Sequence, residues 1–291
     1  MAMPRSVRRF LCSALIPLLF GVSACATLSG QAEKDVRMAE VQYDLGVTAL
    51  QNGKFESAIP HLQKAISLDP KMFYAHNALG LVWWKKDRLD DAQACFENAV
   101  RIKPDFSDGW NNIGALAMQR HDLAKAKTAF EKVLADPVYS TPYVTRANLG
   151  WLYHMQGDDK AALAQLREAL AIDESYCAAH KFTAALYEES GKKDDAALAW
   201  KEFARVCPEE PEALYQTGRM QLEDGDAQGA ARSFARCQAY ARKINRDHVF
   251  IKTCATFARG LPPLSPEEQA QIAKITEPSN APPMPEAKDI R

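Results

Sequence analysis

Alanines that stand four residues before a large apolar side chain recur at Ala58, Ala92, Ala126, Ala162, Ala196 and Ala230, at spacings of 34, 34, 36, 34 and 34. The large residues that follow are Leu62, Phe96, Phe130, Leu166, Trp200 and Phe234. Twelve residues ahead of the alanines, Gly46, Gly80, Gly114, Gly150, Ala184 and Gly218 keep the same register. Pro70, Pro104 and Pro208 close three of the units, and Asp136-Pro137 closes a fourth slightly early. A period in this range is the mark of a repeat array in which each unit buries its apolar face on its neighbours. Small residues at the glycine and alanine positions let two antiparallel helices approach closely, the large residue fills the seam, and proline ends the second helix. Turns such as Asn52-Gly53, Gly157-Asp158, Gly191-Lys192 and Gly225-Asp226 join the two helices of a unit.

The pattern resembles the tetratricopeptide repeat, with an aromatic residue, Leu-Gly, a second aromatic residue, then Ala-x3-Phe and Pro. Trp110-Asn111-Asn112-Ile113-Gly114 and Asn148-Leu149-Gly150-Trp151-Leu152-Tyr153 are close matches. The resemblance implies an all-α, right-handed superhelical solenoid of six tetratricopeptide repeats with a C-terminal capping helix. The repeats are expected at 39–72, 73–106, 107–142, 143–176, 177–210 and 211–244. The end of a solenoid exposes an apolar face that needs a cap. Asp247 to Arg259, with Val249, Phe250, Ile251, Ala255 and Phe257, supplies one, so a capping helix is expected within 245–260. From Leu261 to residue 291 the chain is Pro-rich and reads as a flexible tail. Within it, Ser265-Pro266-Glu267-Glu268 has the form of a helix start.

The 36-residue spacing between repeats three and four reflects a two-residue insertion, Asp136-Pro137-Val138-Tyr139-Ser140-Thr141-Pro142-Tyr143. Two prolines and a tyrosine predict a stiff connector that turns the array and leaves two blocks of three repeats. Neutral variation of a surface loop is the alternative.

Residues 1–24 have the parts of a secretory signal: Arg5, Arg8 and Arg9, then an apolar run from Phe10 to Val22. That run is too short for a span of about 20 residues. It ends at Val22-Ser23-Ala24-Cys25, which resembles the bacterial lipobox. The resemblance implies a lipidated Cys25 at the head of a linker (25–38) and stable membrane anchoring by more than one acyl chain. Ala26, where an Asp would resemble an inner-membrane retention signal, favours the outer membrane, with the protein facing the periplasm. A plain signal peptide with an incidental Cys25 is the other reading.

The formal net charge is −1; without the three arginines of residues 1–24 it is −4, with 33 basic and 37 acidic residues. Nothing in that balance suggests a basic face for nucleic acid. Six repeats, the lipobox and the Pro-Tyr connector ahead of Asn148-Leu149-Gly150 together resemble the type IV pilus biogenesis lipoproteins called pilotins, the PilF, PilW and Tgl group. The resemblance runs from Cys25 to residue 258; the Pro-rich tail and the extra cysteines fall outside it. It implies a scaffold that binds a secretin subunit and promotes assembly of the outer-membrane ring. A periplasmic adaptor for peptidoglycan hydrolases is the alternative.

In this fold the first helix of each repeat lines the concave face. The expected lining is Tyr43, Val47 and Leu50 in repeat one, then Tyr74, Asn77, Leu81 and Trp84 in repeat two. Repeat three adds Asn111 and Met118, and repeat four adds Val144 and Trp151. Repeats five and six present Lys181, Glu188, Glu189, Tyr215, Arg219 and Glu223 instead, so the groove changes from aromatic to charged. Trp84 and Trp151 are the leading anchor candidates. The Lys and Arg set that clamps a peptide carboxylate is missing.

Beyond Cys12 and Cys25, five cysteines remain. Four of them allow three pairings. Cys177 with Cys207, at the two ends of repeat five, and Cys237 with Cys254, on the last repeat and the cap, are geometrically reasonable. Cys95 reads as a buried free thiol. The six histidines, 61, 76, 121, 154, 180 and 248, are scattered, and no metal-ligand spacing, nucleophile elbow or phosphate loop is present. Glu188-Glu189 reads as a solvated helix surface. The expectation is a non-enzymatic scaffold with no cofactor, metal or small-molecule substrate.

Overall fold

The structure is a computed structural model that describes residues 20–244 and 248–276, with side chains from residue 32 onward. Arg5, Arg8 and Arg9 of the expected signal and the tail beyond 276 lie outside the described residues, as does the side chain of Cys25. Every regular element among the described residues is an α-helix, and there are fourteen.

The chain divides into two compact units, residues 1–109 and 110–291. The first contains α1 (Phe20–Gln51), α2 (Phe55–Leu68), α3 (Phe73–Lys85) and α4 (Leu89–Ile102). The division falls near the start of α5 (Ser107–Gln119). Then follow α6 (Leu123–Leu134), α7 (Pro142–Met155), α8 (Asp159–Ile172), α9 (Cys177–Glu189), α10 (Lys193–Val206), α11 (Pro211–Glu223) and α12 (Ala227–Ile244). The last two helices are α13 (Val249–Phe257) and α14 (Pro266–Thr276). Odd and even helices from α1 to α12 supply the first and second helices of the six repeats. α1 begins at Phe20, so the 25–38 segment expected as a linker is helical.

The sequence register is a steric lock. A Cβ added to Gly80 would stand 2.6 Å from the Phe96 ring, and one added to Gly114 would stand 2.4 Å from that of Phe130. The large residue sixteen positions on therefore occupies the space where a side chain would grow at these glycines, and in repeat five Ala184 packs against Trp200 with only a methyl group in that place. Phe96, Phe130 and Phe234 are fully buried. The turn inside each repeat needs one residue in left-handed conformation. Gly53, Gly157, Gly191 and Gly225 supply it in four repeats, while Asp87 (φ 59°) and His121 (φ 58°) do so in repeats two and three. Asp122, Asp158 and Asp226 then accept from the backbone N–H three residues on, capping the second helix in three of the repeats.

The insertion at 136–142 does not divide the array into two blocks of three, because the unit boundary lies at 109/110. The extra residues form a surface loop in which Asp136 accepts from the Val138 N–H and Val138 is 85% exposed. α6 and α7 still pack through Phe130, Leu149 and Leu152. Thr145 of α7 donates to Asn111 of α5 across 3.0 Å. The loop absorbs the insertion and the helix contacts stay in register.

At the C-terminal end, α13 covers the last repeat. Tyr215 and Phe234 meet Phe250 and Phe257 in an aromatic cluster with centroids 5.2–6.2 Å apart. A disulfide joins Cys237 of α12 to Cys254 of α13 (Cα–Cα 6.4 Å), and another joins Cys177 to Cys207 across repeat five (Cα–Cα 5.9 Å). α14 begins with a reciprocal cap between Ser265 and Glu268. It leans on α12 through Glu268–Arg232 and buries no residue of its own.

Candidate protein-interaction surface

In the first unit, α1 and α3 bring the aromatic residues of repeats one and two together. The Tyr43 and Tyr74 rings meet edge to face at 4.7 Å. Tyr74 donates its hydroxyl to Glu40 (2.5 Å). Burial, then the Glu40 bond, push the Tyr74 phenol well above its ordinary value; burial does the same to Tyr43. Val47 and Leu50 are half-buried against the core of Ala49, Leu62 and Val82, which limits what they offer a ligand. Asn77, Leu81 and Trp84 are half-buried, and Trp84 rests edge-on against Phe96 at 6.0 Å. The free Cys95 is also half-buried; burial and, second, Asp91 raise its thiol to about 11, which disfavours the thiolate at neutral pH.

In the second unit the expected lining needs correction. Met118 is buried with Phe130, Leu149 and Leu152 at 9% exposure and presents little surface, because its flexible chain fills the core. Asn111 is a strut, accepting from Thr145 and, at 3.5 Å, from Asn148. Trp151 is stacked on Phe182 with centroids 5.3 Å apart and planes at 19°, so one of its faces is occupied. Val144 is half-buried. Beyond these, much of the charge expected to face a ligand is paired within the protein. Lys181 bridges to Glu212, Glu188 accepts from Trp200 Nε1 and from Arg219, and Glu189 meets His154. Tyr215 belongs to the aromatic cluster under α13.

Sequence reasoning missed the edge of repeat one. Met38, Val41 and Leu45 of α1 are 50%, 52% and 45% exposed and share one helix face. One repeat on, the same register holds Met72, Ala75 and Leu79, which are 2%, 0% and 7% exposed. Met72 and Ala75 pack on Ala39 and Ala65 of repeat one, and Leu79 joins the cluster around Leu62. These positions face the preceding repeat. In repeat one they form an apolar stripe left open to solvent, and a register comparison of the sequence alone would have pointed to it.

Among the described residues no group of His, Cys, Asp and Glu is arranged to hold a metal ion, and no helix is long and apolar enough to cross a membrane. Stacked helix pairs with an open apolar edge define a protein-interaction scaffold, and known proteins agree. The tetratricopeptide repeat family profile matches residues 43–105, 84–140 and 183–242, and a second profile of the same repeat matches 144–173. The chain belongs to the tetratricopeptide repeat family.

Among curated relatives, the chain is 34% identical over 96 residues to the chloroplastic tetratricopeptide repeat domain-containing protein PYG7 of Arabidopsis thaliana, covering 32% of each chain. It spans at most about a third of the length of the first curated relatives it matches. Among solved structures it is similar to PilW, a widely conserved type IV pilus biogenesis factor, with TM-score 0.60 and 26% identity over 75% of this chain and 98% of that one. It shares its fold with Pseudomonas aeruginosa PilF (TM-score 0.58, 18% identity, 77% of this chain and 99% of that one).

Proposed function

We propose that this chain is a lipid-anchored envelope scaffold that binds a secretin subunit and promotes its assembly for type IV pilus biogenesis. The observation that carries the reading is the likeness to PilW over nearly the whole of that protein. Anchoring is through Cys25 in the outer membrane, with the repeats in the periplasm. The docking face is the open stripe of Met38, Val41 and Leu45. An apolar stripe on one helix face suits an amphipathic helical segment of the partner, which it covers as a preceding repeat would.

The test is an immunoblot of membranes for heat-stable secretin multimers, with and without this gene, and with Cys25→Ser in its place. Multimers are expected to vanish without the gene, with monomer accumulating, and Cys25→Ser is expected to release a folded protein from the outer-membrane fraction. Persistent multimers in the deletion strain would sink the secretin reading, and full outer-membrane fractionation of the Ser variant would sink the anchor.

A further inference from the structure

The last turn of α9 is a junction. Glu188 holds Trp200 of α10 and Arg219 of α11, while the two residues that follow it reach back to repeat four. Ser190 donates its hydroxyl to Asp159 Oδ2 (2.5 Å), and Glu189 Oε2 lies 3.1 Å from Nε2 of His154. The same imidazole has Nδ1 2.6 Å from Asp159 Oδ1. Both nitrogens of one ring, on a side chain only 12% exposed, therefore face carboxylates. A neutral imidazole has one N–H and one bare nitrogen, so only the imidazolium donates to both. On the same side of the repeat pair, the Trp151 ring lies 4.9 Å from His154 and stacks on Phe182 of α9.

We propose that His154 is a proton-operated latch between repeats four and five. Protonated, it ties Glu189 of α9 to Asp159 of α8 and backs the Trp151–Phe182 pair. On losing its proton it can donate to only one carboxylate, and the other faces a bare nitrogen. The inference is independent of the partner proposed above.

The charged surroundings agree. α8 contributes Asp159 and α9 contributes Glu189. Lys192, past the end of α9, acts on Asp159, and Lys127 of α6 sits over the Tyr153 ring (5.4 Å), one residue before the latch. Burial alone would disfavour the imidazolium, but hydrogen bonds and charge from Asp159 and Glu189 outweigh it and raise His154 above 6.5. The Ser190 bond, then that of His154, hold the Asp159 carboxyl below 3.8. A raised histidine stabilises fully below 6.5 and loses that contribution as pH rises through its folded value. A lowered aspartate contributes fully above 3.8 and loses it as pH falls through its own folded value. The latch is therefore strongest between pH 3.8 and 6.5 and opens on the alkaline side.

In the full chain, His154 ring resonances and tryptophan emission are followed together from about pH 5 to about pH 9, with His154→Gln as the reference. The expected midpoint lies above 6.5. Emission should rise through it, since an imidazolium quenches an adjacent indole, and this rise should be missing in the variant. His154→Gln should lower the unfolding midpoint by about 2–4 °C near pH 6 and by less once wild-type His154 is neutral. Glu189→Gln, which keeps Asp159 and the fold, should bring the histidine midpoint down and serves if His154→Gln does not fold. A midpoint at or below 6.5, one that Glu189→Gln leaves unmoved, or an equal loss of stability at both ends of the range would each overturn the latch.

Discussion

The last repeat and the first both end in an apolar face, and the chain treats the two differently. On the last repeat, α13 lays Phe250 and Phe257 over Tyr215 and Phe234, and the Cys237–Cys254 bridge fastens it there. On the first, Met38, Val41 and Leu45 stay about half exposed although the same register is buried one repeat later. Solubility asks for a polar or covered end on a stacked-repeat protein. An end whose apolar residues stay about half exposed among the described residues is therefore a candidate contact surface. The contrast sets an end whose apolar residues are fastened into the fold against one whose apolar residues are left in water.

The sharpest break of the contrast is to unfasten the capped end. Replacing Cys237 and Cys254 together by serine leaves α13 held by the aromatic cluster alone. Closing a loop of 17 residues is worth about 3 kcal/mol in the chain-entropy account. Urea unfolding of the double variant should show that loss, and dithiothreitol should destabilise the wild type in the same direction. Because dithiothreitol also opens Cys177–Cys207, its effect should exceed that of the double variant. An unchanged midpoint in the variant would mean that α13 needs no fastening.

A smaller loss is expected from Phe257→Ala. The ring is 39% exposed yet touches Tyr215 and Phe234 at 5.2 and 5.7 Å. Partial burial plus two ring contacts is worth about 1–2 kcal/mol. Chemical denaturation should find this, together with faster hydrogen exchange across α13. If Phe257→Ala costs nothing, the covered end is no better packed than the open one and the contrast fails.

How much of this was legible in the sequence depends on the distance over which residues act. The pairing of Gly80 with Phe96 or of Gly114 with Phe130 is a steric requirement sixteen residues wide that recurs at Gly46, Gly150 and Gly218, so it is written plainly as spacing. Contacts between repeats are written too, but one period apart. Glu40 meets Tyr74 and Asn111 meets Thr145 at separations of 34, and His154 meets Glu189 at 35. Scanned for short-range motifs, Glu188-Glu189 looks like a solvated surface and His154 like one of six scattered histidines; a scan at the repeat length joins them. Met118 was misplaced for another reason. It shares its register with Leu50, Trp84 and His154, and whether a side chain there turns to the core or to the open face depends on its flexibility and its neighbours. Position alone does not decide that.

The open end supplies the smallest effect on stability and the most direct test of the contrast. Leu45 and Leu79 occupy one register position, at 45% and 7% exposure. Asp in place of Leu45 adds a charge to a helix face already in water, and such surface changes stay within about 0.5 kcal/mol. The same change at Leu79 would bury a carboxylate among Ala49, Leu62 and Val82, where an unpaired charge is strongly disfavoured. Circular dichroism melts should therefore leave Leu45→Asp near the wild type. If the edge is a docking face, the variant should nevertheless fail to restore secretin multimers in a strain lacking the gene. Should Leu45→Asp instead unfold the protein, the stripe is covered by some part of the chain itself, and the first repeat is capped like the last.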